Sequence, residues 1–122
     1  MKYYDDYHGW HHRAAQAWQI LVTAAKTRQT MSYEDLSNAM NFSSAHFMSH
    51  PLYRIERICA KHSLPKLNDL VVNKDDKPGY KQHEPRSEIL AERRRVFEFD
   101  WYALVSPTPE EYREAVLEAE QG

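Results

Sequence analysis

The chain has 122 residues, 42% of them hydrophobic, which is enough for one domain with its own core and too little for two ordinary ones. Its 16 Lys plus Arg against 18 Asp plus Glu leave a net charge of −2, which excludes a polyanion binder held by bulk charge alone. No apolar run approaches the roughly 18 residues needed to cross a bilayer, Met1 to Asp6 lacks the pattern of a signal peptide, and Cys59, the single cysteine, excludes an internal disulfide or a cysteine-based zinc site, so a soluble cytoplasmic protein is expected.

The N-terminal stretch mixes Tyr3, Tyr4, Tyr7 and Trp10 with His8, His11 and His12. A helical period follows: Ala14, Ala17, Trp18, Leu21 and Ala25 recur at the three-and-four spacing of one buried face, with Arg13, Gln16, Gln19, Thr23 and Lys26 mostly elsewhere, predicting a helix over about 9–28. Ser32 followed by Tyr33, Glu34 and Asp35 reads as a cap with acids at the positive end of a second, short helix reaching about Met40. Asn41 to Ser44 supplies a turn and another cap. From Leu52 to His62 the apolar residues Leu52, Ile55, Ile58, Cys59 and His62 share one side, and Arg54, Arg57 and Lys61 occupy a narrow arc opposite.

Pro65 stops that helix, Leu67 to Asn73 has the β-branched look of a strand, Lys74 to Gly79 reads as a turn, and Tyr80 and Lys81 are expected to begin a return strand. Glu88 to Phe99 is read as a helix, and Thr108-Pro109-Glu110-Glu111 as the start of a last one running to about Glu120. The expected fold is mainly α with a small β-hairpin (α+β). A winged helix-turn-helix core spans 9–82, and a helical C-terminal extension spans 85–122.

Charge is distributed unevenly over this frame. Residues 1–45 carry four basic and four acidic side chains, residues 46–95 eleven and seven, and residues 96–122 one and seven. The basic middle coincides with the helix carrying the cationic stripe, and the acidic tail with the last helix.

Ala17-Trp18-Gln19-Ile20-Leu21, Thr30-Met31-Ser32-Tyr33-Glu34-Asp35-Leu36, Leu70-Val71-Val72-Asn73-Lys74-Asp75 and Gly79-Tyr80 agree in order and spacing with one known domain. Over about residues 17–82 the chain resembles the DNA-binding C-terminal domain of the alkylguanine-DNA alkyltransferases and their alkyltransferase-like relatives. That family transfers an alkyl group to the cysteine of a Pro-Cys-His-Arg motif preceding its Val-Val strand. Here Leu67-Asn68-Asp69-Leu70 stands at the matching place, Asn68 at the nucleophile's position, so the resemblance implies binding without alkyl transfer. Cys59, on the apolar face of its helix, is no substitute, because a desolvated thiol ionises poorly. His46 or Phe47 falls near the family's arginine that replaces a flipped base, and provides no clear counterpart.

The resemblance implies that Ser44 to Lys61 is the recognition region. Ser44, His46, Arg54, Arg57 and Lys61 are then candidate contacts to DNA, most simply the duplex, with Lys74, Lys77 and Lys81 on or beside the wing. Six phosphate contacts would give a steep salt dependence, about −0.9 per contact on duplex DNA. A second expectation is a protein-interaction module on the same frame, engaging a partner through Trp101, Tyr102 and the acidic helix Glu110 to Glu120; for Trp18, Phe97 and Trp101 core packing is the simpler expectation. The spacing of His8, His11 and His12 permits two imidazoles on one helical face, but surface or partner contact is expected rather than a metal site. No cofactor, phosphate-binding glycine loop or Ser-His-Asp arrangement is expected.

Overall fold

The computed structural model describes residues 1–6 and 9–122; Tyr7 and His8 lie outside the described residues. In chain order the elements are α1 (Trp10–Lys26), β1 (Met31–Ser32), α2 (Tyr33–Ala39), α3 (Ser49–Lys61), β2 (Val71–Val72), α4 (Arg86–Glu98) and α5 (Pro109–Gln121), with 3₁₀ turns at Tyr4–Asp6, Ala45–Met48, Leu67–Leu70, Gly79–Lys81 and Trp101–Ala103. Two caps follow the expected chemistry. Ser32 Oγ accepts from the Asp35 backbone N–H at 2.9 Å, and Thr108 with Glu111 forms a reciprocal capping box at the start of α5.

The ends of α1, α2 and α3 are closed without glycine. Arg28, Asn41 and Ser63 take the left-handed region with φ of 56°, 62° and 54°. In each case the next N–H returns to a carbonyl five residues back: Gln29 to Ala24 at 2.8 Å, Phe42 to Ser37 at 3.0 Å and Leu64 to Cys59 at 2.9 Å.

The core lies between α1, α3 and α5, with the Leu67–Leu70 turn inserted beneath α1 and α3. Trp18, Leu21, Leu36, Met40, Met48, Ile55, Leu67, Leu70 and Tyr112 are at most 2% exposed. Trp101 meets Trp18 edge-on at 5.5 Å and donates its indole N–H to the Val96 carbonyl at 2.7 Å, which satisfies its polar atom inside the core. Arg13, expected off the buried face of α1, is only 7% exposed. Its guanidinium donates to the Met40 carbonyl at 3.0 Å, at the end of α2, and lies 4.3 Å over the Phe42 ring.

The expected hairpin is absent from the described residues. Val71–Val72 pairs in parallel with Met31–Ser32, in the register Met31 to Val71 and Ser32 to Val72. Leu67–Leu70 is a 3₁₀ turn instead of the first half of a strand, and Tyr80 and Lys81 belong to another 3₁₀ turn instead of a return strand. Asn73 explains the difference. Its side chain accepts from the N–H groups of Asp75 and Lys77, and its own N–H bonds the Lys77 carbonyl at 2.8 Å, closing residues 73–77 into a compact loop. Arg86 and Arg93 then hold Asp76, and with it the loop, against α4.

Candidate functional site

A cleft of about 360 Å³ opens beside α3, lined by Tyr33, Ser49, Leu52, Tyr53, Glu56, Asn68 and Tyr80. The sequence places its walls from three directions. Ser49, Leu52, Tyr53 and Glu56 follow one another at helical spacing on α3, next to the cationic arc. Tyr33 opens α2, where its hydroxyl accepts from the Gly79 backbone N–H at 2.8 Å. A Cβ at Gly79 would lie 3.0 Å from that oxygen, so glycine permits the contact that joins the Gly79–Lys81 turn to the cleft.

The floor is polar. Asn68 is 6% exposed and Asp69 5%. The Asn68 amide nitrogen is 3.4 Å from both Asp69 Oδ1 and the Tyr80 hydroxyl, while its Oδ1 has no hydrogen-bond partner among the described residues. Asp69 accepts a short hydrogen bond from the Tyr80 hydroxyl at one oxygen and one from Lys81 Nζ at 2.6 Å at the other. Burial pushes the Asp69 carboxyl above its ordinary value, against the opposing pull of Lys81 and Tyr80. Burial first, and then the Asp69 carboxylate, push the Tyr80 phenol up. Cations sit beside both exposed rings of the cleft: the Arg57 guanidinium lies 5.8 Å from the Tyr53 centroid, and Lys66 and Lys81 Nζ lie 6.0 and 5.5 Å from that of Tyr80.

Cys59 lies apart from this cleft and is fully buried. Desolvation pushes its thiol to about 12, so at neutral pH it carries essentially no thiolate.

The structure gathers only part of the predicted cationic set, and most of its charges have partners within the chain. Arg54 donates to the His50 carbonyl at 2.8 Å and to His11 Nδ1 at 3.3 Å. Burial and the Arg54 charge lower the His11 pKa from its ordinary 6.5, in keeping with a neutral ring that accepts this bond. Arg57 forks onto the Glu56 carboxylate, and Lys61 pairs with Glu118 of α5 at 3.0 Å. Lys77 Nζ donates to the Gln82 and Glu84 carbonyls, and Lys81 is the partner of Asp69. Lys74 is exposed, with no ion pair among the described residues. Ser44 caps the Ala45–Met48 turn through the His46 N–H at 3.1 Å, and His46 is exposed on that turn.

Ahead of α3 the aromatic side chains form a ladder. The Trp10 ring stacks on His50 at 4.3 Å and lies 6.3 Å from Phe47 and 5.8 Å from Phe42. The expected partner anchor Trp101 is 4% exposed and belongs to the core, whereas neighbouring Tyr102 is 60% exposed. Of the acidic helix, Glu118 and Glu110 are engaged by Lys61 and Arg113, and Glu111 by the cap. His11 faces Arg54, His8 lies outside the described residues, and no group of three metal-ligating side chains forms among the described residues.

Sequence reasoning missed Tyr33, Tyr53, Glu56, Asp69 and Tyr80 as site residues. Tyr33 was legible only as part of a helix start and Tyr80 as part of a strand. The available signal was the polar pair Asn68-Asp69 inside the apolar run Leu67 to Val72, since a buried carboxylate needs partners and so draws other polar side chains to it. No helix among the described residues is long and apolar enough to cross a membrane. Comparison with protein-family models, with curated protein sequences and with solved structures gave no match.

Proposed function

We propose that this protein binds nucleic acid without catalysing a reaction on it, through the side of α3 that carries the cleft. The observation that carries this reading is the concentration of exposed aromatic and cationic groups there: Phe47, Tyr53 and Tyr80 are 39%, 42% and 58% exposed, with Arg57 beside Tyr53 and two lysines beside Tyr80. Rings and cations side by side suit bases and phosphates, respectively. The resemblance to the alkyltransferase DNA-binding domain points the same way, and Asn68 at the nucleophile's position agrees with binding alone.

Fluorescence anisotropy with labelled oligonucleotides over a salt series tests the reading. Lys66→Ala with Lys74→Ala is the informative variant, because Arg54, Arg57 and Lys61 are tied to His11, Glu56 and Glu118. Binding should weaken for every sequence tried, and the salt slope should shrink by roughly 0.7–0.9 for each phosphate that the variant no longer neutralises. No binding by the unaltered protein at low salt would sink the proposal.

A second reading, a protein-interaction module, is favoured by the segment after α4. Tyr102, Leu104 and Val105 are 60%, 39% and 95% exposed, beside a cleft of about 330 Å³ whose walls include Lys26, Arg28 and Asp100. Here Val105→Glu with Tyr102→Ser should abolish capture of a stoichiometric partner from host lysate without shifting the melting temperature. Deleting 108–122 is unsuitable for this test, since it removes Tyr112 from the core.

A further inference from the structure

The nucleic-acid reading leaves open which form of strand is bound, and two magnitudes bear on that question. Duplex binding driven by phosphate contacts needs many available cations, each adding about 0.9 to the salt slope. Of the six predicted cations, Arg57, Lys61 and Lys81 pair with carboxylates, and Arg54 and Lys77 donate to backbone carbonyls. Only Lys74 is without such a partner among the described residues. Aromatic surface, in contrast, is plentiful, and a base stacked on an exposed ring adds more than a screened surface charge does.

The rings are also in sequence. Phe47 lies in the 3₁₀ turn just before α3, His50 in the first turn of α3 and Tyr53 one turn further on, about 4.5 Å of helix from His50 to Tyr53 at 1.5 Å per residue. Trp10 joins the first two, stacked on His50 at 4.3 Å and 6.3 Å from Phe47. Tyr53 and Tyr80 both line the cleft. Paired bases inside a duplex keep their faces stacked on one another and cannot cover such rings, whereas an unpaired strand can.

We infer that the bound form is a single strand, its bases stacked on Phe47, Tyr53 and Tyr80 and its phosphates set against Lys66. The inference rests on the proposed nucleic-acid binding. Glu56, the adverse charge in the cleft, is already neutralised by the Arg57 fork. Phe47 and Tyr53 make no side-chain hydrogen bond among the described residues, so changing them leaves the polar floor intact.

The test is anisotropy titration of one mixed sequence as single-stranded DNA, as single-stranded RNA and as the DNA duplex, at several salt concentrations, with Tyr53→Ala, Phe47→Ala and Tyr53→Phe. One strand or both should bind about tenfold or more tighter than the duplex, with a shallow salt slope. Each alanine variant should weaken single-strand binding about five- to a hundredfold while Tyr53→Phe retains it, with an unchanged melting temperature for both Tyr53 variants. Duplex binding equal to or tighter than single-strand binding overturns the inference and leaves the nucleic-acid reading standing, as do alanine variants of unchanged affinity. Failure of all three probes to bind overturns both.

Discussion

Tyr112→Ala is expected to lower the unfolding free energy by about 3–5 kcal/mol, the range for truncating a fully buried aromatic ring. Tyr112 is 0% exposed and is carried by α5, which packs on both α1 and α3. The acidic helix is therefore held in the core by an aromatic ring. For a domain of this size such a loss lowers the melting temperature by on the order of 10–20 °C, which a thermal scan followed by circular dichroism would show. Tyr112→Phe should behave oppositely. The Tyr112 hydroxyl is buried with no hydrogen-bond partner among the described residues, so its removal relieves a desolvated polar atom and keeps the ring. A Phe variant as unstable as the Ala variant would show that the hydroxyl, and not the ring, holds α5 in place.

Asp69→Ala is the second large effect, again about 3–5 kcal/mol, because removing one member of a buried pair leaves the other charged and unpaired. The Asp69 and Lys81 side chains are 6% and 12% exposed, so little water screens the Lys81 ammonium once its partner is gone, and the Tyr80 hydroxyl loses its acceptor as well. Asp69→Ala with Lys81→Met should recover most of the loss, since an apolar pair of similar volume carries no desolvation penalty. Urea denaturation of the two single variants and the double variant at neutral pH yields the coupling directly; additive losses would mean the pair is not coupled.

The pH dependence of this pair has a definite sign. Burial raises the Asp69 carboxyl above its ordinary 3.8, so between that value and the raised one the native state keeps a proton that the unfolded chain has released. The corresponding stability is complete below 3.8 and is lost as pH rises through the raised value. Asp69→Asn, which cannot titrate, should remove this part of the decline. A steeper decline in the variant would mean that the ion pair, and not burial, dominates the carboxyl.

Helix positions were legible in the residues because they depend on local periodicity. Ser32 and Thr108 mark the starts of α2 and α5 by their own side chains, and Leu52, Ile55, Ile58 and Cys59 mark the buried face of α3. The stops of α1, α2 and α3 were legible to within about two residues as well, although Arg28, Asn41 and Ser63 take there the left-handed conformation for which glycine is the usual signal. The hairpin was not legible in this way. Val71 and Val72 do form a strand, but a strand's partner is a tertiary choice, and here it is Met31 and Ser32, reached across α2 and α3.

The sequence by itself determined the helical character and the core faces, because composition and spacing carry those properties. Only the tertiary structure decided which charges remain available. Arg54, Arg57 and Lys61 form a cationic stripe along α3, but His11, Glu56 and Glu118 engage them from α1, α3 and α5. Likewise Tyr33, Tyr53, Asn68 and Tyr80 are scattered over 48 positions, from 33 to 80, and become one cleft only when α2, α3 and the two 3₁₀ turns pack together. Partners distant in sequence leave no periodic signature, and at this site such partners set both the available charge and the shape of the surface.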